Sequence, residues 1–422
     1  MMLLKSTNPM LSWIISKNPE TQKTKNEPFK KSLRKGTIYG WFFNDNEFRM
    51  HFVDDPTRSS FNTVGDYEYL DRTRYASPYL PIAAINELLR SAQQKLEEHD
   101  KEGFVASFEC IAELSSPALA IRSANLSADK IEMTEIAKKL YRIKFETERG
   151  VHHLLNLVIG FLISQAVADE NLYIPVDEGS ITKYIDAMNV TDAPYYQRYS
   201  LSMRVIRSPN LHAQVKNQLE IGKYIIGFGD TQNHRFQGLA PYLNGGDSDV
   251  LVDVGCGEMY YEKKVHTKFK KIFAFDPDDN LAGKNKNAIE VRNLTDKIEY
   301  RHQLFTEDCV DVICEDTTVL MTEVLEHMPK DEAIKLMSAI AKRNFKQVVI
   351  SVPNVEFNQF YGLGPDQSRH DDHHYEPSVD EIAIMVNNSF PGHSIKFFGL
   401  GDAVKKDDRW IFASTGCVIK KG

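Results

Sequence analysis

The run Glu323-Val324-Leu325-Glu326-His327 places two carboxylates and an imidazole at the spacing i, i+3 and i+4. On a helical turn that spacing brings all three side chains to one side. Two acids and an imidazole form a hard-to-borderline donor set that suits magnesium or manganese. With no cation between them the acids repel one another, although the start of a plain solvated helix would also favour acids through its dipole. A second stretch, residues 368–376, reads SRHDDHHYE and carries His370, His373 and His374. If its loop opens on the same crevice, one of these histidines completes a metal shell; otherwise the stretch is a charged surface loop.

Upstream, residues 250–257 read VLVDVGCG, an apolar strand that carries Asp253 and closes on Gly255 and Gly257. Glycine at such a turn lets the backbone approach a ligand without a side-chain clash. Farther on, the apolar run 271–275 ends in Asp276, placed to accept hydrogen bonds from the two hydroxyls of a ribose. Tyr260 stands where a dinucleotide fingerprint wants its third glycine, so close packing over a pyrophosphate is not supported. The pair of signals suits an adenosine compound without phosphates, and S-adenosylmethionine is the cofactor of that description. Gln303, after the next strand, is a candidate to lie against the adenine.

These residues need a scaffold that gathers them at one edge. After Leu211, apolar runs at 250–254, 271–275, 297–300, 318–322, 347–352 and 395–400 alternate with helical stretches. Such alternation predicts βαβ units in an α/β, doubly wound Rossmann-like sheet, whose ligands bind at the carboxyl ends of the strands. The earlier part mixes a strand-like patch at 36–43 with helical patterns at 82–98 and 129–168, as in an α+β domain. The polar, proline-containing stretch 189–210 is expected to link an N-terminal domain, 1–195, to the α/β domain, 211–422. It also interleaves Arg198, Arg204 and Arg207 with Tyr195, Tyr196 and Tyr199. That mixture grips single-stranded RNA through phosphate contacts and stacking, or is simply a solvated linker.

A chain of 422 residues with 42% hydrophobic and 26% charged composition has room for two domains and excludes a disordered or membrane-dissolved chain. The formal net charge of -8 gives no global pull toward nucleic acid, so a polyanion must be met by a local basic patch or through a metal. The five cysteines, Cys110, Cys256, Cys309, Cys314 and Cys417, are odd in number and lack CxxC spacing. They are expected to be reduced thiols of a cytoplasmic protein. The apolar run 10–15 has no cleavage signal after it, so no signal peptide is expected. The most apolar stretch, 154–168, is interrupted by Asn156, Ser164 and Gln165. It falls short of the ~20 residues of a membrane span, so a buried helix and no membrane are expected.

The motifs together resemble a known family, the small-RNA 3′-terminal ribose 2′-O-methyltransferases found in plant and animal small-RNA pathways and in bacterial RNA repair. Glu323, Glu326 and His327 match its glutamate-glutamate-histidine motif, VPNVEF at 352–357 looks like its proline-asparagine strand end, and Asp372 to Glu376 look like its last motif, with Pro377 where an aromatic residue is usual. The resemblance implies an S-adenosylmethionine-dependent enzyme with magnesium or manganese on Glu323, Glu326, His327 and His373. The metal would coordinate the 2′- and 3′-oxygens of the terminal ribose and activate the 2′-hydroxyl, so the substrate is RNA with a free 3′-end. Such chemistry works without a dedicated base, or with His370 or His374 accepting the proton. More loosely, LSWIISKNPE at 11–20, DRTRYASPYLPIAAI at 71–85 and NLYIPVDEGSITKYI at 171–185 are similar to the extra N-terminal domain of bacterial members. That domain implies a partner, a polynucleotide kinase-phosphatase-ligase repair enzyme. Two other readings stand beside this one: a methyltransferase on a non-RNA substrate, with Glu323, Glu326 and His327 as a pocket wall, and a non-catalytic subunit that activates an RNA ligase.

Overall fold

The computed structural model describes residues 1–16, 27–33, 36–54, 63–64, 67–68, 75–168, 174–244, 249–364 and 366–421. Residues 17–20, 71–74 and 171–173 of the N-terminal similarity lie outside them. The chain divides into two compact units, Met1–Ile221 and Gly222–Gly422.

The first unit is built on a 7-stranded sheet of β1 (Met2–Ser6), β2 (Phe29–Leu33), β3 (Gly36–Asn44), β4 (Glu47–Asp54), β7 (Ala106–Glu113), β8 (Lys130–Ala137) and β9 (Leu140–Thr147). The pairs β5 (Thr63–Val64) and β6 (Tyr67–Glu68) form a separate ribbon. The order is β2-β3-β4-β1-β7-β9-β8 with antiparallel neighbours throughout. One face carries the alternate buried side chains, as in β7, where Ala106, Phe108, Cys110 and Ala112 point inward. The helix Val151–Ala168 packs against β7 and β9. Its buried faces fit the expected core helix, and among the described residues no helix is long and apolar enough to cross a membrane. Asp100 fixes its start, accepting from the N–H groups of Val151 at 2.7 Å and His152 at 2.6 Å.

Two expectations for this unit fail for identifiable reasons. The pattern over 129–168 is not one helix, because its first part is the hairpin β8-β9. Ile143 and Phe145 are buried two residues apart, and Lys139 turns the chain at φ 61°. The stretch 189–210 is not a linker either, and it contributes the helix Tyr195–Arg204 and the start of Pro209–Glu220 to the first unit. The wholly buried Arg198 holds it there. Its guanidinium donates to the carbonyls of Ala193 (2.8 Å), Leu219 (3.0 Å) and Met188 (3.0 Å) and to Asn189 Oδ1 (2.7 Å). Burial thus removes Arg198 from any grip on RNA.

The second unit holds an 8-stranded sheet in the order β10-β16-β17-β15-β14-β11-β12-β13. Its strands are β10 (Tyr224–Ile225), β11 (Val250–Val254), β12 (Lys271–Phe275), β13 (Ile298–Arg301), β14 (Thr317–Thr322), β15 (Gln347–Pro353), β16 (Ser394–Lys406) and β17 (Arg409–Lys420). β11 to β15 run parallel, and β10, β16 and β17 add an antiparallel edge. Apolar clusters cover both faces, so the central strands are apolar on both sides. β11 lies between β12 and β14, and the strand order reverses there, which opens the crevice of a Rossmann-like fold at the carboxyl ends of those strands. β17 has no counterpart in the expected strands. The turn before it uses Asp407 (φ 49°) and Asp408 (φ 60°) instead of the glycine that usually marks a tight hairpin.

Asp129 ties the β8-β9 hairpin to the helix start of the first unit. It accepts from Thr147 Oγ1 (2.7 Å), Arg149 Nη2 (2.6 Å) and His153 Nε2 (2.8 Å). Burial pushes its carboxyl up, but the hydrogen bonds from His153, Arg149 and Thr147 outweigh it and hold the group well below the usual range. Asp129→Asn is expected to cost ~1–3 kcal/mol in urea unfolding near neutral pH. A depressed folded pKa gives stability that is present above the unfolded value of about 3.9 and lost as pH falls toward the folded one. The gap between wild type and variant should therefore shrink by about pH 3, and an unchanged gap would refute this role.

Candidate active site

At the carboxyl end of β11 the chain turns at Gly255 (φ 72°) and Gly257 (φ 52°). The N–H groups of Gly255 and Cys256 donate to Phe275 O at 2.8 and 2.9 Å, which ties the turn to β12. Asp276 follows β12, with Oδ2 accepting from the Gly257 N–H at 2.8 Å and Oδ1 from the Asp278 N–H at 2.9 Å. Asn285 closes the clamp by donating to Gly257 O at 2.8 Å. A Cβ on Gly257 would meet no atom within 4 Å. The turn therefore faces open space and carries a carboxylate fixed by two amides, which fits a ribose-bearing ligand.

Two residues expected in this pocket sit differently. Asp253 is wholly buried in β11, and its carboxyl meets that of Glu262, also wholly buried. Burial pushes both groups up, Glu262 to about 7, and the neighbouring Glu262 carboxyl pushes Asp253 up further. Asp253 thus belongs to the wall beneath the turn, and no local pattern announces its partner Glu262. Gln303 is exposed beyond β13, and its amide donates to Cys309 Sγ at 3.2 Å.

The glutamate-histidine motif follows β14, but not as one continuous helical turn. Glu323 takes φ 54°, and only Leu325–His327 form a 3-10 turn. This break sends the two carboxylates in different directions. Glu323 Oε2 accepts from Arg235 Nη1 at 2.6 Å, and its Oε1 from Ser351 Oγ at 2.9 Å. Glu326 is wholly buried, and among the described residues neither of its carboxyl oxygens has a hydrogen-bond partner. Burial, then the nearby charge of Glu323, pushes its carboxyl well above the usual range.

The loop after β15 closes on this group. The His374 N–H donates to Glu326 O at 2.8 Å. His373 is packed edge-to-face on His327, with ring centroids 4.7 Å apart. His373 Nδ1 lies 2.6 Å from Glu376 Oε1 and His327 Nδ1 lies 3.2 Å from Asp372 Oδ2. Glu376 is itself fixed by Asn358 Nδ2 and the Arg369 N–H, and those bonds hold its carboxyl low against the opposing effect of burial. A carboxylate on Nδ1 fixes the tautomer that presents Nε2 as a free donor, the usual arrangement behind a metal-bound histidine.

One ligand atom each from Glu326, His327 and His373 lie within 4.8 Å of one another. A buried carboxyl without donors beside two imidazoles fits a divalent cation. Of the four residues expected to hold it, the structure gathers these three; Glu323 is drawn off by Arg235. His370 sits edge-on to His373 at 5.1 Å, and the exposed His374 contributes its backbone. A Cβ on Gly255 would lie 2.6 Å from Val324 Cγ2, so the turn after β11 packs directly on the glutamate-histidine segment. Sequence reasoning missed Arg235, which nothing near the motif announces. Glu376 was readable in principle, as an acid three residues after a histidine.

Residues 1–223 match the family described as the Hen1 N-terminal domain. A small RNA 2′-O-methyltransferase of Drosophila melanogaster is 22% identical over 247 residues, covering 54% of this chain and 54% of that protein. The chain thus spans about half the length of the curated relative it matches. A chain in a structure of the Pnkp1/Rnl/Hen1 RNA repair complex is similar over 100% of both chains, with a TM-score of 0.77 and 20% identity. A second structure of a Pnkp1/Rnl/Hen1 complex gives 0.76 at 20% identity, again over 100% of both chains. At this identity the likeness establishes a shared fold.

Glu376→Gln removes the carboxylate behind His373. Manganese affinity, measured by calorimetry, is expected to fall by about 10–100-fold. Unchanged affinity in a variant that melts like the wild type would show that Glu376 has no part in orienting the ligand.

Proposed function

The chain belongs to the Hen1 N-terminal domain family, and from that premise we propose that it methylates the 2′-hydroxyl of the 3′-terminal ribose of RNA, using S-adenosylmethionine and a magnesium or manganese ion. The observation that carries this reading is the unpartnered, buried carboxyl of Glu326 set against His327 and His373, on a segment that packs on the Gly255 turn. The likeness to a small RNA 2′-O-methyltransferase supports the choice of substrate.

When bound, S-adenosylmethionine supplies an electrophilic sulfonium methyl and the divalent ion lowers the pKa of the hydroxyl it contacts. Asp276, held by the amides of Gly257 and Asp278, keeps lone pairs free for the two hydroxyls of the adenosine ribose. Gly257 leaves the space above the turn open. Glu326, His327 and His373 hold the ion, and Glu376 keeps His373 in the tautomer that ligates. Glu323, bound to Arg235 in the structure, would be the fourth ligand of this reading. Where a dedicated base is used, His370, beside His373, or His374 would take the hydroxyl proton. The two adjacent oxygens of a terminal ribose explain why a free 3′-end is required.

The match of residues 1–223 and the whole-chain likeness to a member of the Pnkp1/Rnl/Hen1 complex support a second part of the proposal. The N-terminal unit engages a polynucleotide kinase-phosphatase-ligase enzyme, and the pair repairs cut RNA.

Labelled S-adenosylmethionine should methylate a short RNA with a free 3′-end only when manganese or magnesium is added. The same RNA ending in a 3′-phosphate or a 2′-deoxy nucleotide should stay unlabelled, and efficient labelling of either rules out the ribose-chelating chemistry. Adding the chain to the repair enzyme should raise sealing of cut RNA; no stimulation removes the partner reading and leaves the methyl transfer standing.

A further inference from the structure

The first unit has a cavity of about 330 Å³ that the methyl-transfer reading does not use. It lies between the helices Pro117–Asn125 and Tyr195–Arg204, and its walls include Arg122, Arg204, Tyr196 and Tyr199. Both arginines are exposed, and among the described residues neither forms an ion pair. Arg122, Arg204 and Tyr196 line the same cavity, and the two positive charges oppose the upward push that burial gives the Tyr196 phenol. Two cations without an ion-pair partner among the described residues repel each other on one small cavity, and an anion between them relieves that cost.

The other walls narrow the choice of anion. Ser116, at the start of the helix Pro117–Asn125, makes no side-chain cap, and Ala118 in its first turn lines the cavity. First-turn amides have no partner within the helix and favour negative charge. Guanidinium forks match phosphate oxygens in pairs. Tyr196 and Tyr199 are half-buried rings on the same wall; Tyr199 stacks one face on Tyr195, and flat aromatic faces suit a nucleobase. The volume lies within the range of small-molecule sites.

We propose that this cavity binds a nucleoside phosphate, with Arg122 and Arg204 on the phosphate and the rings of Tyr196 and Tyr199 toward the base. The proposal stands on the first unit alone and does not rest on the methyl-transfer reading. The same chemistry is offered by a free nucleotide or by a phosphate within an RNA strand. Of the arginines interleaved with tyrosines in 189–210, Arg198 is absorbed into the fold and Arg204 reaches this cavity.

The test is calorimetry on the full chain with AMP, adenosine, inorganic phosphate and a short single-stranded RNA. AMP should bind better than adenosine or phosphate, and Arg122→Gln with Arg204→Gln should weaken it by about tenfold or more. The exposed Arg207, which is not among the lining residues, serves as the control, and Arg207→Gln should change binding by less than about twofold. If only the RNA loses affinity in the double variant, the phosphate comes from a strand and the site stands. The site is overturned if a double variant that melts like the wild type binds AMP and RNA unchanged, or if Arg207→Gln has the same effect. Manganese binding measured on the same variants separates a failure here from a failure of the methyl-transfer reading.

Discussion

Glu326 has no exposed surface and no hydrogen-bond donor for either carboxyl oxygen. A buried group left in that state costs on the order of 1–3 kcal/mol, more if it is charged. Burial and the neighbouring Glu323 both push the carboxyl well above its usual range, which favours its neutral form. In the proposed reading a divalent cation would relieve that cost. The surrounding elements are arranged to keep that carboxyl where it is.

The support comes from three directions. β14 delivers the motif to the crevice, and the left-handed Glu323 turns the chain so that its own carboxylate meets Arg235 while Glu326 faces inward. The loop after β15 is stitched to Glu326 through the His374 amide, and it brings His373 with Glu376 behind it. Gly255 lets the turn after β11 press against Val324, where any side chain would collide. A displacement of any one of these would move the ligand atoms relative to the open space over Gly257. The Glu326, His327 and His373 cluster and the Gly257–Asp276 turn are therefore coupled by packing at Gly255 and Val324.

Much of this was legible in the sequence because each signal was local. The alternation of apolar runs after Leu211 announced β11 to β15, and the spacing of Gly255, Gly257 and Asp276 announced the clamp. What was not legible depends on contacts distant in sequence. Arg235 engages Glu323 from 88 residues away. Glu262 meets Asp253 only because a helix start folds over β11. The hairpin β8-β9 passed for a helix because it has one buried apolar face and turns on a lysine, and the segment around Arg198 passed for a linker because a polar side chain satisfied wholly by carbonyls is still polar to a reader of composition. In each of these places tertiary structure overrides the local pattern.

In the proposed reading Glu326 is retained at a cost to the folded chain because a divalent cation uses it. Thermal melting of wild type and Glu326→Met, with and without manganese, tests this most directly. The account predicts that without metal the variant melts at or above the wild type, and that manganese raises the wild-type transition alone. A variant that melts well below the wild type without metal, together with equal responses of both proteins to manganese, would contradict it.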